Sequence, residues 1–243
     1  MALRFILFVI IACIFQTGQK IHAQDFPNAL ALIQYLKGVN ESRVPIYFRA
    51  EMSIDYFTNN KGPEKGKQTF ICGESQILEY DLPSGINAKV HIQDSQVLIL
   101  KSERVFETKR IDIENFLLFG IHKQDPEKSI GILKQLGIDT EIIDEAIRLG
   151  RSMWVIGAYR RDANTPQIWI DKERLVVKKI HYINLPQQKL EQMEWSDYKK
   201  NGDFYVPLQC ELRSDPELLF RLKRENPEFP KQLPDEIHKL LNF

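Results

Sequence analysis

The side chains that most often carry catalysis are scattered along this 243-residue chain. After the first 23 residues the histidines stand singly, at His91, His122, His181 and His238, and none lies in a G-x-S-x-G or H-E-x-x-H context. Carboxylates are plentiful, but no motif pairs them for acid–base work. The sequence therefore predicts a protein that is not an enzyme and uses no cofactor.

Two of the cysteines, Cys72 and Cys210, lie in segments with the composition of strands. In an oxidising compartment they could form a disulfide, provided that the fold brings their Cα atoms to within about 7 Å. The alternative is a pair of buried thiols, since free cysteine is among the most buried residue types. The chain has no C-x-x-C pair and no His–Cys cluster, so the sequence predicts no metal site.

The first 23 residues have the layout of a secretory signal peptide. A basic residue, Arg4, precedes an apolar stretch at residues 5–15, and a more polar tail follows. The stretch is too short to span a bilayer. We therefore expect a cleaved leader, a mature chain that begins near Gln24 and a periplasmic location. The alternative is lipoprotein anchoring through Cys13, because residues 10–13 fit a lipoprotein cleavage box.

Overall charge argues against one class of partner. The chain carries 33 basic and 33 acidic residues, and its formal net charge is zero. Such a chain has no surplus of positive charge to neutralise phosphates, so neither nucleic acid nor an anionic membrane is an expected partner. We expect a monomer whose partners are selected by shape and apolar contact.

Apolar periodicity predicts one N-terminal helix followed by strands. Residues 25–38 carry apolar side chains at helical spacing. Residues 43–56 alternate apolar and polar side chains, which predicts a long strand, and residues 67–80 predict a second long strand that forms a hairpin with it. Two shorter strands are predicted at residues 88–93 and 96–101.

Between residues 110 and 150 the apolar period changes from two to about 3.6, which predicts a helical insert at about 112–150. Its apolar groups lie at residues 113–119, 130–136 and 142–149, and glycines separate them. Asp139 or Thr140 would cap the third of these short helices.

Residues 154–212 contain consecutive strand-like runs with short polar or Gly/Pro/Asn joints between them. Strands this close in sequence can pair only as antiparallel neighbours. The predicted fold class is α+β, with a curved antiparallel sheet that forms an incomplete β-barrel and helices that cover its concave face. No low-complexity linker interrupts residues 24–243, so we expect a single domain, with a C-terminal extension at about 215–243.

The same segment resembles the outer-membrane lipoprotein-sorting protein family, the LolA-like periplasmic carriers. The resemblance lies in W-V-I-G-A, P-Q-I-W-I-D-K and Y-K-K-N-G-D-F-Y-V-P-L-Q, at residues 154–158, 166–172 and 198–209. It implies a half-barrel whose helices form a lid over a hydrophobic cavity for acyl chains. It also implies a chaperone-like carrier of lipoprotein or lipid toward the outer membrane, with membrane-bound transfer proteins as further partners. The helical insert and the C-terminal extension depart from the family.

The resemblance assigns apolar residues to the floor of the cavity, its lid and its wall. They are Ile46, Phe48, Met52 and Ile54 of the first strand, Phe116 and Leu117 of the insert, and Trp154 and Trp169 of the meander. For each of them, ordinary core packing is the alternative. In the related carriers an arginine of the early strand latches the lid. Arg43 and Arg49 are the candidates here, with solvated surface arginines as the alternative.

A different class of function stays open on the same fold. The chain could be a non-enzymatic periplasmic sensor or protein-interaction module that docks a partner through an apolar patch. The Pro-punctuated tail around residues 233–243 is the segment that such a patch would use.

Overall fold

The computed structural model describes residues 26–58, 62–81, 87–93, 95–101, 104–159, 162, 164–184, 186–214 and 216–232. The predicted leader at residues 1–23, the alternative anchor Cys13 and the tail at residues 233–243 lie outside the described residues. Within those ranges, no helix has both the length and the apolar character that crossing a bilayer requires.

The described chain starts with a helix, continues through six strands and a helical stretch, and ends in seven more strands. The helical elements are α1 Ala29–Asn40, α2 Ile113–Asn115, a π-helical turn Phe116–Gly120, α3 Ile121–Lys123 and α4 Pro126–Gln135. The first six strands are β1 Tyr47–Tyr56, β2 Glu64–Ile71, β3 Ser75–Asp81, β4 Asn87–Gln93, β5 Gln96–Lys101 and β6 Arg104–Lys109. The remaining strands are β7 Ile143–Arg148, β8 Arg151–Ile156, β9 Gln167–Asp171, β10 Val176–Asn184, β11 Lys189–Asn201, β12 Phe204–Ser214 and β13 Glu217–Glu228.

All thirteen strands form one antiparallel sheet in the order β6-β5-β4-β3-β2-β1-β13-β12-β11-β10-β9-β8-β7. The sheet is curved and does not close, because β6 and β7 are the two ends of this order. The predicted incomplete barrel is therefore confirmed. The strands predicted between residues 154 and 212 are also confirmed, since β8 to β12 follow one another as antiparallel neighbours.

Two predicted elements have a different structure. The predicted strand at residues 67–80 is two strands, because a turn at residues 72–74 separates β2 from β3. Gly73 in that turn has φ +86°, a conformation that side chains other than glycine rarely adopt. The predicted helix at residues 142–149 is strand β7, which pairs with β8. The spacing of its apolar side chains fits both a helix and a strand. The turn at Leu149–Gly150 makes the segment one arm of a hairpin.

The C-terminal extension is not peripheral. Strand β13 lies between β1 and β12, so it joins the first half of the sheet to the second. Polar and charged residues interrupt its apolar pattern, and this explains why periodicity alone did not reveal a central strand.

The helices cover part of the concave face. Asn28 caps α1, since its side chain accepts a hydrogen bond from the Ala31 N–H at 3.1 Å. The buried side of α1 packs on α3 and α4. Beneath them lies an aromatic cluster in which Phe119 of the π-helical turn meets three phenylalanines of the sheet, with ring centroids 5.2–6.3 Å apart. Those three are Phe48, Phe70 and Phe204.

The central position of β13 predicts the result of shortening the chain. A chain that ends after residue 214 lacks β13, so β1 and β12 each lose a partner strand and the two halves of the sheet separate. We expect it to show no cooperative unfolding transition in urea, followed by circular dichroism. A chain that ends after residue 232 keeps every described element and should unfold cooperatively; a cooperative transition in the shorter chain would contradict the strand order.

Candidate functional site

The centre of the concave face is occupied by residues 113–123, which we call the plug. It comprises α2, the π-helical turn and α3. Residues 116–121 of the plug are all buried. Phe116 and Leu117, predicted to face a ligand from the lid, therefore lie in the core against the sheet.

A buried ion pair joins the plug to the sheet. Glu114 of the plug accepts a hydrogen bond from the Nη2 of Arg224 in β13, at 2.5 Å. The Arg224 side chain is fully buried and also donates to the Gln68 side chain at 2.7 Å and to the Pro207 carbonyl at 3.2 Å. Gln68 in turn donates to Glu114 at 2.9 Å. Gln68 of β2 and the Pro207 carbonyl of β12 thus hold the guanidinium of β13 and the carboxylate of the plug in a fixed geometry.

The same network sets the charge of two acidic residues. Burial works to raise the pKa of Glu114, but Arg224 and the hydrogen bonds lower it more, so the pKa is below its ordinary value and the carboxyl is ionised. Asp112 lies just before the plug and caps it, accepting from the Asn115 N–H at 3.0 Å. Burial raises the pKa of Asp112 to about 7, and the neighbouring charge of Glu114 acts in the same direction. The buried Arg224 therefore neutralises the carboxylate of Glu114, while Asp112 is largely protonated below neutral pH.

The arginines predicted as lid latches are not part of this network. Arg43 is exposed and Arg49 is half-buried on the opposite face of β1 from the apolar set. The arginine that binds the plug is Arg224, which lies in the C-terminal extension of the sequence prediction. Its signal was weak, because a single arginine in a charged strand is indistinguishable from its solvated neighbours Arg221 and Lys223.

Beside the plug, the concave face carries an apolar stripe that runs across four strands. Leu78 in β3 lies opposite Val90 in β4, Val90 opposite Ile99 in β5, and Ile99 opposite Phe106 in the edge strand β6. At about 4.8 Å between strands, the stripe is about 14 Å long. Leu78, Val90 and Ile99 are half-buried, and Phe106 is 52 % exposed. Sequence reasoning predicted strands 88–93 and 96–101 but did not select their apolar alternation as a ligand surface.

The stripe continues toward one end of the half-barrel as a group of aromatic rings. Tyr80 follows Leu78 on the same face of β3, and the rings of Tyr56 and Phe220 lie 6.3 Å apart on β1 and β13. The Tyr56 hydroxyl donates to the buried Glu64 carboxylate at 2.7 Å. The pKa of Tyr56 is raised by burial and by this bond, so the hydroxyl stays protonated at neutral pH. An apolar surface with a few fixed polar groups is the general character of a small-molecule site.

The residues assigned to the first strand divide between core and surface. Phe48, Met52 and Ile54 are buried on the concave face of β1 and belong to the central core. Ile46 is not with them: it precedes β1 and is 55 % exposed, and its assignment to a cavity floor stays a prediction. The alternation of residues 44–56 continues past the point where the chain enters the sheet, which the pattern cannot reveal.

The two tryptophans lie on opposite faces of the sheet. Trp154 pairs with Ile170 and faces the core, where its ring packs edge-on against Phe26 and Tyr35. Trp169 pairs with Val155 and Lys179, so it points to the convex face and cannot line a concave cavity. Its indole N–H donates to the Gln167 side chain at 2.8 Å.

Cys72 and Cys210 are free and buried, so the disulfide is not formed. Strands β1 and β13 lie between β2, which ends just before Cys72, and β12, which carries Cys210. Burial raises the pKa of both thiols, so neither is a reactive thiolate. Among the described residues, no group of three or more His, Cys, Asp or Glu side chains is arranged to hold a metal ion.

Comparison with known proteins shows which known fold this chain shares. No family model matches the sequence, and no curated protein matches it either. Among solved structures, a domain from Vibrio parahaemolyticus named for outer-membrane lipoprotein sorting superposes with a TM-score of 0.58 at 12 % identity, covering 87 % of this chain and 97 % of that one. A LolA superfamily protein from Nitrosomonas europaea superposes with a TM-score of 0.55 at 9 % identity, covering 86 % and 96 %.

This chain has the LolA-like fold. A DUF1329 family protein from Desulfovibrio piger shares it as well, with a TM-score of 0.55 at 16 % identity over 88 % of this chain and 97 % of that one. At these identities the likeness concerns the fold.

The Arg224–Glu114 pair predicts a large effect of removing one partner. Arg224→Met leaves the Glu114 carboxylate buried without its countercharge, which should lower the free energy of unfolding by about 3–5 kcal/mol. The double variant Arg224→Met/Glu114→Gln should recover part of that loss, because no buried charge is left unpaired. The control Arg221→Met removes the partly exposed pair with Glu211 and should cost at most about 1 kcal/mol. Equal losses for Arg221→Met and Arg224→Met in urea titrations would contradict a stabilising role of the buried pair.

His122 predicts a dependence of stability on pH. It lies in α3, fully buried, with Nδ1 3.2 Å from the Asn40 side-chain nitrogen and the ring edge-on to Phe204. Burial lowers the pKa of His122 to about 3, while the unfolded value is about 6.5. The unfolded state therefore binds the proton first as the pH falls below 6.5, and the folded state loses up to about 1.4 kcal/mol per pH unit.

The variant His122→Asn isolates this contribution, because an amide can replace the ring nitrogen as the partner of Asn40 without titrating. We expect the stability advantage of the wild type over His122→Asn to shrink steadily between pH 6.5 and about 4.5. Urea unfolding at each pH measures it. A constant difference between the two proteins would show that His122 is not held neutral.

Proposed function

We propose that this protein is a periplasmic carrier that binds the acyl chains of a lipid or lipoprotein on the concave face of its sheet and acts without catalysis. The observation that carries the proposal is the stripe Leu78, Val90, Ile99 and Phe106. Its four apolar side chains lie in line across a concave surface, three of them half-buried and Phe106 exposed. A water-soluble domain gains nothing by leaving such a surface half-exposed unless an apolar ligand covers it.

The shape of the ligand follows from the geometry of the stripe. A row of side chains that runs perpendicular to the strands offers a narrow track, which fits an extended hydrocarbon chain better than a compact ring system. At roughly 25 cal/mol per Å² of apolar area removed from water, burial of a few hundred Å² gives useful affinity without any strong polar contact.

The plug supplies a means of enlarging this surface. It fills the space over Phe48 and Phe70, where a longer or second chain would lie next to the stripe. Displacing it requires separating Glu114 from Arg224, so the ion pair sets the cost of opening. Release of ligand when the plug returns is consistent with a carrier that must hand over its cargo.

Several parts of this proposal rest on the sequence. Export depends on the predicted leader at residues 1–23, and transfer toward the outer membrane depends on the family resemblance. The alternative role as a sensor or protein-interaction module depends on residues 233–243. That tail lies outside the described residues, and its role stays a prediction.

Binding of acyl chains can be measured directly. The exported protein should carry lipid visible in native mass spectrometry, and it should bind a fluorescent fatty acid saturably. The double variant Val90→Thr/Ile99→Thr keeps β-branched side chains in β4 and β5 but makes the middle of the stripe polar, and we expect roughly tenfold weaker probe binding.

Leu98→Thr is the matched control, because Leu98 lies in the same strand as Ile99 and points to the opposite face. Its probe affinity should stay within about twofold of the wild type. Equal weakening by both changes would place the ligand elsewhere, and the absence of both bound lipid and saturable probe binding would overturn the carrier function.

A further inference from the structure

The two most exposed large apolar side chains of the described residues belong to one hairpin. Strands β7 and β8 are joined by Leu149 and Gly150. Leu149 is 89 % exposed and Ile147, two residues earlier, is 79 % exposed. Their proximity makes one apolar tip, which we call the β7–β8 tip and define as residues 147–150.

Leu149 is also unfavourable for the backbone of its own turn. Both turn residues have positive φ, +50° at Leu149 and +75° at Gly150, the pattern of a type I′ turn. Asparagine, aspartate or glycine adopts the first position readily, whereas a leucine there costs roughly 1 kcal/mol or more. Neither turn geometry nor core packing accounts for this leucine, because it packs in no core and strains its turn.

Next to the tip lies a group of basic side chains. Arg148 follows Ile147, and its guanidinium donates to both oxygens of Glu194, at 2.7 and 2.9 Å. Lys179 lies directly opposite Glu194 in the neighbouring strand and so shares that carboxylate. Lys178 donates to the Trp195 carbonyl at 2.9 Å, and its ammonium group lies 4.2 Å from the centre of the Tyr198 ring.

Other acidic side chains of this region have basic partners. Asp171 and Glu173 are both bound by Arg151, and Glu145 is bound by Lys172. Arg174 stacks on Tyr198 and Tyr205. Glu194 is the carboxylate that lies against both Arg148 and Lys179.

The surroundings of the two lysines disfavour their charged forms. Burial lowers the pKa of Lys178 to about 8; among the nearby charges Glu194 has the largest effect and raises it, while Arg174 and Arg148 lower it. Burial lowers the pKa of Lys179 as well, and Arg148 is the next cause. An anionic surface placed against these groups would relieve their mutual repulsion.

We propose that the β7–β8 tip is a membrane-docking finger, in which Leu149 and Ile147 enter the interfacial region of an anionic bilayer while Arg148, Lys178 and Lys179 meet lipid phosphates. Apolar side chains flanked by basic ones are the combination that holds a protein at such a surface. The net charge of the whole chain argued against this partner, but a sum over all residues does not show where basic side chains cluster. This inference is independent of the acyl-binding function, since the tip lies at the opposite edge of the sheet from β6.

The test compares binding to vesicles for the chain that begins at Gln24, which contains every element described above. Vesicles of phosphatidylcholine with about one third phosphatidylglycerol should bind the wild type in flotation assays, and pure phosphatidylcholine should bind it much less. Raising the salt to about 0.3 M should weaken the binding, because short Debye lengths screen exposed charges.

Leu149→Asn is the informative variant, because it removes the apolar tip and at the same time suits the turn. We expect its midpoint of urea unfolding to equal or exceed that of the wild type, while its partition onto anionic vesicles falls roughly tenfold. Val105→Thr, at a 66 % exposed residue of the other edge strand, is the apolar control and should bind as the wild type does.

Lys178→Gln/Lys179→Gln tests the basic part, and we expect a roughly tenfold loss together with a weaker salt dependence. The matched control is Lys65→Gln/Lys67→Gln, two exposed lysines of β2, which should change the partition by less than about twofold. The proposal would be overturned if the wild type did not bind anionic vesicles, or if Leu149→Asn bound them as strongly as the wild type does. Sedimentation velocity could instead show that the wild type is a dimer and that Leu149→Asn is a monomer. That result would overturn the proposal, because the tip would then bind a second copy of the chain.

Discussion

One buried charge pair determines how the two layers of this molecule fit together. The Arg224 guanidinium has no access to water, so its position is stable only while Glu114, Gln68 and the Pro207 carbonyl surround it. Those groups come from the plug and from strands β2 and β12, while Arg224 itself belongs to β13. The pair therefore fixes the plug over the sheet and at the same time ties the central strands together. Apolar packing around it supplies most of the stabilisation, but apolar contacts alone would allow the plug several positions.

The same arrangement divides the concave face into two regions with different properties. Under the plug, aromatic rings from the sheet and the π-helical turn are packed in contact. Beyond it, Leu78, Val90 and Ile99 of strands β3 to β5 are half-buried, and Phe106 of β6 is exposed. A half-barrel with one filled half and one open half can keep a stable core while it offers a surface to an apolar ligand. A closed barrel of the same strands would bury both regions equally.

Much of this architecture follows from local sequence patterns, and the exceptions have physical causes. The alternation in β1 and the short joints of the meander predict antiparallel strands correctly, because period and turn chemistry are local properties. The pattern at residues 142–149 fits two periods, and only its pairing with β8 makes it a strand. Trp169 and Trp154 look alike in sequence, yet the register between β8 and β9 sends them to opposite faces. Sequence patterns could not identify Arg224 as half of a buried ion pair, because its partner Glu114 lies 110 residues earlier and no spacing rule relates the two.

The place of β13 also has a consequence for how the chain reaches its fold. Strand β1 is synthesised early, but the strand that covers its second edge ends at residue 228. Until then β1 presents an unpaired edge, and pairing over such a separation is slow because the intervening loop must first be closed. An exposed edge that waits for its partner is open to wrong pairing with other chains. A chain built in this way completes its sheet only after residue 228 has been made, so a factor that keeps the early strands apart during that interval would raise the yield of folded protein.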